Sequence, residues 1–158
     1  MLSKRGTEEI ALKDFVVSLE TAKKLAEANI KIDSLCVYGK SRYYEGIQKD
    51  IFGIYRKNLS YFIPDRLVDA AGHSQEVYEI ISAPTSDELE KYLSKSYSES
   101  GMRLVSTYDE GKIKIVYYDP YENSMYHEST CHENKADALA EIVIHLEQET
   151  TKSEDKNE

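Results

Sequence analysis

With 158 residues, 41% hydrophobic and 31% charged, the chain is sized for a single domain of the usual ~100–150 residues. It is too apolar to stay unfolded and too polar for a membrane protein. Its net charge of −9 argues against non-specific contact with phosphate backbones, and no apolar run approaches the ~20 residues that cross a bilayer.

Met1 to Asp14 is charged and lacks the apolar core of a secretory signal. Residues 1–15 are therefore expected to be a flexible extension, with a single domain over 16–148. A first helix is expected over 18–29: Ser18 suits an N-cap, Glu20 the first turn, and Ala22, Leu25 and Ala26 share a face. Asn29 tolerates the left-handed backbone that closes a helix. A strand follows over 34–38 and ends at Gly39, with a second over 50–57, where Gly46 and Gly53 blur the pattern. Residues 65–75, with Ala70, Ala71, Gly72, His73 and Ser74 together, read as a loop with at most a helical turn.

Val77 to Ser82 alternates and is rich in β-branched residues, so it reads as a strand ending before Pro84. Thr85 and Glu88 have the spacing of a capping box, and Leu89, Tyr92 and Leu93 supply the apolar face of the helix that it opens. Residues 102–108 and 113–118 form a hairpin about Asp109, Glu110 and Gly111, and 124–128 adds a third strand to this meander. Asn134 caps a last helix whose stripe is Ala136, Leu139, Ala140, Ile142, Val143 and Leu146. Residues 149–158 hold no apolar side chain and read as a disordered acidic tail. The expected fold class is α+β: two layers, a mostly antiparallel sheet and about three helices on one face.

The capping-box segment Ala83-Pro84-Thr85-Ser86-Asp87-Glu88-Leu89 and the final helix start Asn134-Lys135-Ala136-Asp137-Ala138-Leu139-Ala140-Glu141, with the hairpin between them, resemble a group of small uncharacterised proteins of bacteriophages and prophages. The likeness covers 18–38 and 77–148. Asn29 stands where those proteins have Gly, and Ile144-His145-Leu146 replaces a Trp-containing end. The resemblance implies an α+β fold and a phage or prophage accessory role in the cytoplasm of a bacterial host. It supplies no functional residues.

Function must then come from local chemistry. Cys36 and Cys131 form no metal or redox pair spacing, and two reduced, buried thiols are expected. His127, Cys131, His132 and Glu133 can each ligate a metal, but no second pair of ligands is evident in sequence, so no metal is assigned. The plainer account is a polar loop with Cys131 packed inward, and His145 reads as a boundary residue of the core stripe. No phosphate loop, dinucleotide fingerprint or nucleophile elbow is present, and no cofactor is implied.

Residues 31–66 carry seven basic against four acidic side chains, whereas 67–158 carry eight against twenty. Within the basic part, Lys40, Arg42, Tyr43, Tyr44, Arg56 and Lys57 combine cations with rings, the pairing that a nucleotide, a single strand or a protein hot spot uses. Strand tyrosines covering a sheet are the plainer account of the 13 Tyr in the chain. The leading expectation is a non-enzymatic interaction module that binds a host protein or a second copy as a homodimer. Nucleotide or nucleic-acid binding through 40–57 is the alternative, and no membrane partner is expected.

Overall fold

A computed structural model of the chain describes residues 15–45, 47–57, 66–69, 74–76, 78–97, 103–119 and 124–156. Of the extension expected over 1–15, residues 1–14 lie outside them, as do residues 120–123 between the second and third strands of the meander.

The elements run α1 (Leu19–Glu27), β1 (Cys36–Glu45), β2 (Ile47–Lys57), β3 (Arg66–Asp69), β4 (Ser74–Glu76), β5 (Tyr78–Ser82), α2 (Ser86–Tyr97), β6 (Arg103–Asp109), β7 (Lys112–Asp119), β8 (Ser124–Glu128) and α3 (Lys135–Asp155). Among the described residues every strand pairing is antiparallel. One sheet has the order β4-β3-β2-β1-β5 and the other β6-β7-β8. The α+β expectation is met, with two sheets where one was expected.

The helices α1, α2 and α3 each start where their caps predict. Ser18 accepts from the Thr21 amide at 3.3 Å, satisfying one of the donors that a helix start leaves unpaired. α1 closes with Asn29 at φ 57° and with bonds from Asn29 N to Ala26 O and from Ile30 N to Leu25 O, the double closure that needs a left-handed residue. The capping box of α2 is reciprocal: Glu88 N donates to Thr85 Oγ1 at 3.2 Å and Thr85 N to Glu88 Oε2 at 2.9 Å. The second oxygen of Glu88 accepts from Leu35 N, tying the box to the start of β1.

Asn134 accepts from Ala136 N at 2.8 Å and donates through Nδ2 to Val16 O at 2.6 Å, so one side chain caps α3 and pins the segment before α1. α3 extends through Asp155, so 149–155 is helical where a tail was expected. Hydroxyls of Thr150 and Thr151 bond back to Leu146 O and Glu147 O, helical partners that composition does not reveal.

The core forms around α3. Ala136, Leu139, Ala140, Ile142, Val143 and Leu146 are buried against Ile113, Ile115 and Tyr117 of β7, Leu89 and Leu93 of α2, and Ala22 and Leu25 of α1. β1 joins at its base, where Cys36 and Tyr38 enter this core while Val37 pairs with Tyr55 in a second small cluster. Tyr38 donates to Val17 O at 2.7 Å, and burial, aided by the charge of Asp137, pushes its phenol up to about 12.

Three further expectations are corrected. β1 and β2 are far longer than 34–38 and 50–57, pairing from Cys36↔Arg56 to Glu45↔Ile47. The 65–75 stretch holds β3 and β4 where a loop was expected; of the residues quoted there, 70–73 lie outside the described ones. Cys131 is exposed, although Cys36 is buried and both thiols are free. After β8, Ser129 pairs with Ile115 and His132 with Ile113. The loop has one residue more than β7 between these contacts, which breaks the alternation and turns Cys131 outward.

Candidate functional site

The meander presents an unusual edge. In β7, alternate residues Ile113, Ile115 and Tyr117 are buried under α3, as period-two side chains on a half-covered sheet should be. β6 follows the same alternation but overhangs the helix: only Leu104 is partly buried, while the other six residues of the strand are exposed. Val105 is 46% and Tyr108 74% exposed. The strand is held by its ladder to β7 and by the turn at Glu110 and Gly111, with φ of 49° and 76°, both positive as the tight hairpin requires.

Counting the ladder from that turn shows what the outer edge offers. Asp109 and Lys112 face each other across the two-residue loop and form a hydrogen-bonded pair, after which bonded and non-bonded pairs alternate. The amides and carbonyls of Tyr108, Ser106 and Leu104 therefore point away from β7. No strand among the described residues pairs with that side. A seven-residue edge with exposed apolar side chains and free backbone groups is a ready template for another strand. Nothing in the composition of 103–109 signals this, because the helix that leaves β6 uncovered lies some thirty residues away in the sequence.

The outer face of the meander is polar at its middle, where Lys114 of β7 and Glu128 of β8 form an ion pair. At the lower rim, Lys135 bonds Glu90 at 2.8 Å, and that bond raises its ammonium above the ordinary value.

The six residues singled out in the basic segment are divided by the fold. Lys40, Arg42, Tyr43 and Tyr44 lie on β1, opposite Phe52, Asp50, Lys49 and Gln48 of β2. Arg56 lies opposite Cys36, six positions or about 20 Å along the strands from Arg42. Carboxylates stand beside two of the lysines: Lys57 bonds Asp33 at 2.8 Å and Lys40 lies 3.5 Å from Glu79. Glu79 sits at φ 48° where the β1–β5 register slips, a bulge that brings it beside Lys40.

The histidines regroup as well. His132 Nε2 lies 2.6 Å from Glu141 Oε2, which also accepts from the amide and hydroxyl of Thr130 at 3.0 Å each. Burial works to raise the Glu141 carboxyl, but these bonds outweigh it and hold the group below the ordinary 4.5. His127 instead faces His145 and Glu149 of α3. Cys131 and Glu133 point to solvent and join neither group.

A groove of about 500 Å³ beside the α1–β1 connection is lined by Ile30, Ile32, Ile80 and Ile81 with Lys31 and Asp33. Ser82 on its wall donates to Ile32 O at 2.7 Å. Among the described residues no helix is long and apolar enough to cross a membrane. Comparison with protein-family models, with curated proteins and with solved structures gave no match in any of the three.

Proposed function

We propose that the protein is a non-enzymatic interaction module whose working surface is the outer edge of β6, and that the occupant of this edge is a second copy of the chain. The observation that carries this reading is the self-complementarity of the strand. If two copies of Arg103-Leu104-Val105-Ser106-Thr107-Tyr108-Asp109 pair antiparallel about a two-fold axis at Ser106, Arg103 meets Asp109 at both ends. Leu104 meets Tyr108, and Val105 meets Thr107. Opposite charges, an aromatic–aliphatic pair and a β-branched pair are the cross-strand contacts that stabilise a sheet.

The outward amides and carbonyls of Ser106 would form the central bonded pair, and the two meanders would merge into one six-stranded sheet. Two-fold pairing of one surface with itself is also the commonest way for soluble chains to associate. The likeness of 83–89 and 134–141 to phage and prophage proteins supports an accessory role in a bacterial host, where the same edge can take a host strand by addition.

The test is native mass spectrometry of the tagged full chain recovered from a bacterial lysate, beside Ser106→Pro. Proline there removes one outward amide and leaves the β7 ladder intact. The expected result is a homodimer from the original chain and a monomer from the variant. A host protein held by the original chain and lost from the variant would replace the second copy as occupant. A monomer without partner, or a dimer that Ser106→Pro leaves unchanged, would overturn the reading.

A further inference from the structure

The histidine group on the opposite side of the meander carries a separate inference. His127 stands on β8, fixed by its pairing with Tyr117, and its side chain is 13% exposed. His145 and Glu149 are one turn apart on α3, so both project toward the same strand. The two imidazole rings lie 4.6 Å apart between centroids with their planes tilted by 32°. Glu149 Oε2 is 3.1 Å from His127 Nε2, and one donor atom from each of the three side chains falls within 4.8 Å of the others.

We propose that His127, His145 and Glu149 form a binding site for a divalent first-row transition metal. Two imidazole nitrogens and one carboxylate oxygen are a borderline donor set suited to zinc and its neighbours rather than to calcium or magnesium, which take oxygen ligands. Bonds of about 2.0–2.2 Å to each donor require the three atoms to close by an ångström or so. His145 and Glu149 are exposed and can supply that movement, while His127 is held by the sheet. Three protein ligands leave a coordination position for water.

A second feature fits this assignment. Glu141, His145 and Glu149 recur every four residues on α3, one stripe facing β8 and the loop after it. At its upper end Glu141 clamps Thr130 and His132 through three contacts. The clamp sets the spacing between α3 and the end of β8, and so the separation across which His127 meets its two helical partners. Positioning contacts of this kind govern the orientation of ligands at a metal.

The test uses the full chain, freed of metal by a chelator and titrated with zinc chloride against a chromogenic competitor, with magnesium chloride in a parallel run. The expected result is one zinc per chain, no competition by magnesium, and an affinity lowered at least about tenfold in His145→Ala and in Glu149→Gln. Both variants replace exposed side chains, so the fold should survive; Cys131→Ser, which removes the nearest exposed thiol, should bind as before. The first equivalent of zinc should also shift the imidazole signals of His127 and His145 in ¹H–¹⁵N spectra. Absence of saturable uptake, uptake that His145→Ala retains in full, or loss of binding in Cys131→Ser would each overturn the proposal.

Discussion

The two sheets solve the same packing problem in opposite ways. The three-stranded sheet is clamped along one strand: every second residue of β7 from Ile113 to Tyr117 is buried under α3. Its neighbour β6 shares the ladder and the twist but almost none of the burial. The five-stranded sheet reaches the main core through the base of β1, where Cys36 and Tyr38 are buried. Apolar burial, the dominant favourable contribution to folding, is thus concentrated around α3. The strand that α3 leaves uncovered is held chiefly by its ladder to β7, and no strand among the described residues pairs with its outer side. A buried strand and an exposed one thus lie side by side in the same small sheet.

That contrast can be broken experimentally, beginning with the largest effect. Leu139→Ala, at a fully buried position, is expected to cost about 2–5 kcal/mol in urea unfolding. Val105→Ala, on the exposed neighbouring strand, should stay within about 0.5 kcal/mol. Equal losses at the two positions would mean that β6 is covered in solution by something other than α3. Asn134→Ala removes both the cap of α3 and the bond to Val16 O, and about 1–2 kcal/mol should be lost.

The buried phenol gives a pH test of the base of β1. Its folded value, about 12, lies above its ordinary 10, so the folded state holds the proton more tightly. The corresponding stability is complete below pH 10 and disappears as the pH rises through 12. Tyr38→Phe should lose about 1 kcal/mol at neutral pH and abolish the alkaline decline. Glu141 behaves in the opposite sense. Its carboxyl is held below 4.5, so its contribution is present above that value and is lost as the pH falls below it. Glu141→Gln should flatten the acid limb of the stability profile, a small change measurable by thermal unfolding at stepped pH.

What sequence reading could reach depended on the range of the interaction. Caps and turns are local, and Ser18, Asn29, Thr85, Glu88, Gly111 and Asn134 each sit where their chemistry places them. The sequence understates the long hairpin because its glycines look like breaks. Gly39 and Gly53 in fact face each other across the ladder. An added Cβ at Gly53 would come within 3.2 Å of the Tyr55 ring, so that glycine makes room for an aromatic side chain inside the strand.

Nearness in sequence groups His127, Cys131, His132 and Glu133, and the two histidines part in the structure. The fold divides them between Glu141 and Glu149: His132 meets Glu141 nine positions on, while β8 packed against α3 brings His127 to His145 and Glu149, eighteen and twenty-two positions away. The exposed edge of β6 has no local signature either, since exposure there is decided by where α3 stops covering the sheet.

The most direct test of the central claim is amide-resolved hydrogen exchange of the full chain over a range of protein concentrations. With β6 as the pairing edge, the amides of Leu104, Ser106 and Tyr108 should exchange quickly in dilute protein. They should become protected as concentration rises, while the neighbouring amides of Val105 and Thr107, already bonded to β7, change little. Protection that leaves β6 unaltered, or that develops instead along the Cys36–Lys57 hairpin, would contradict the account.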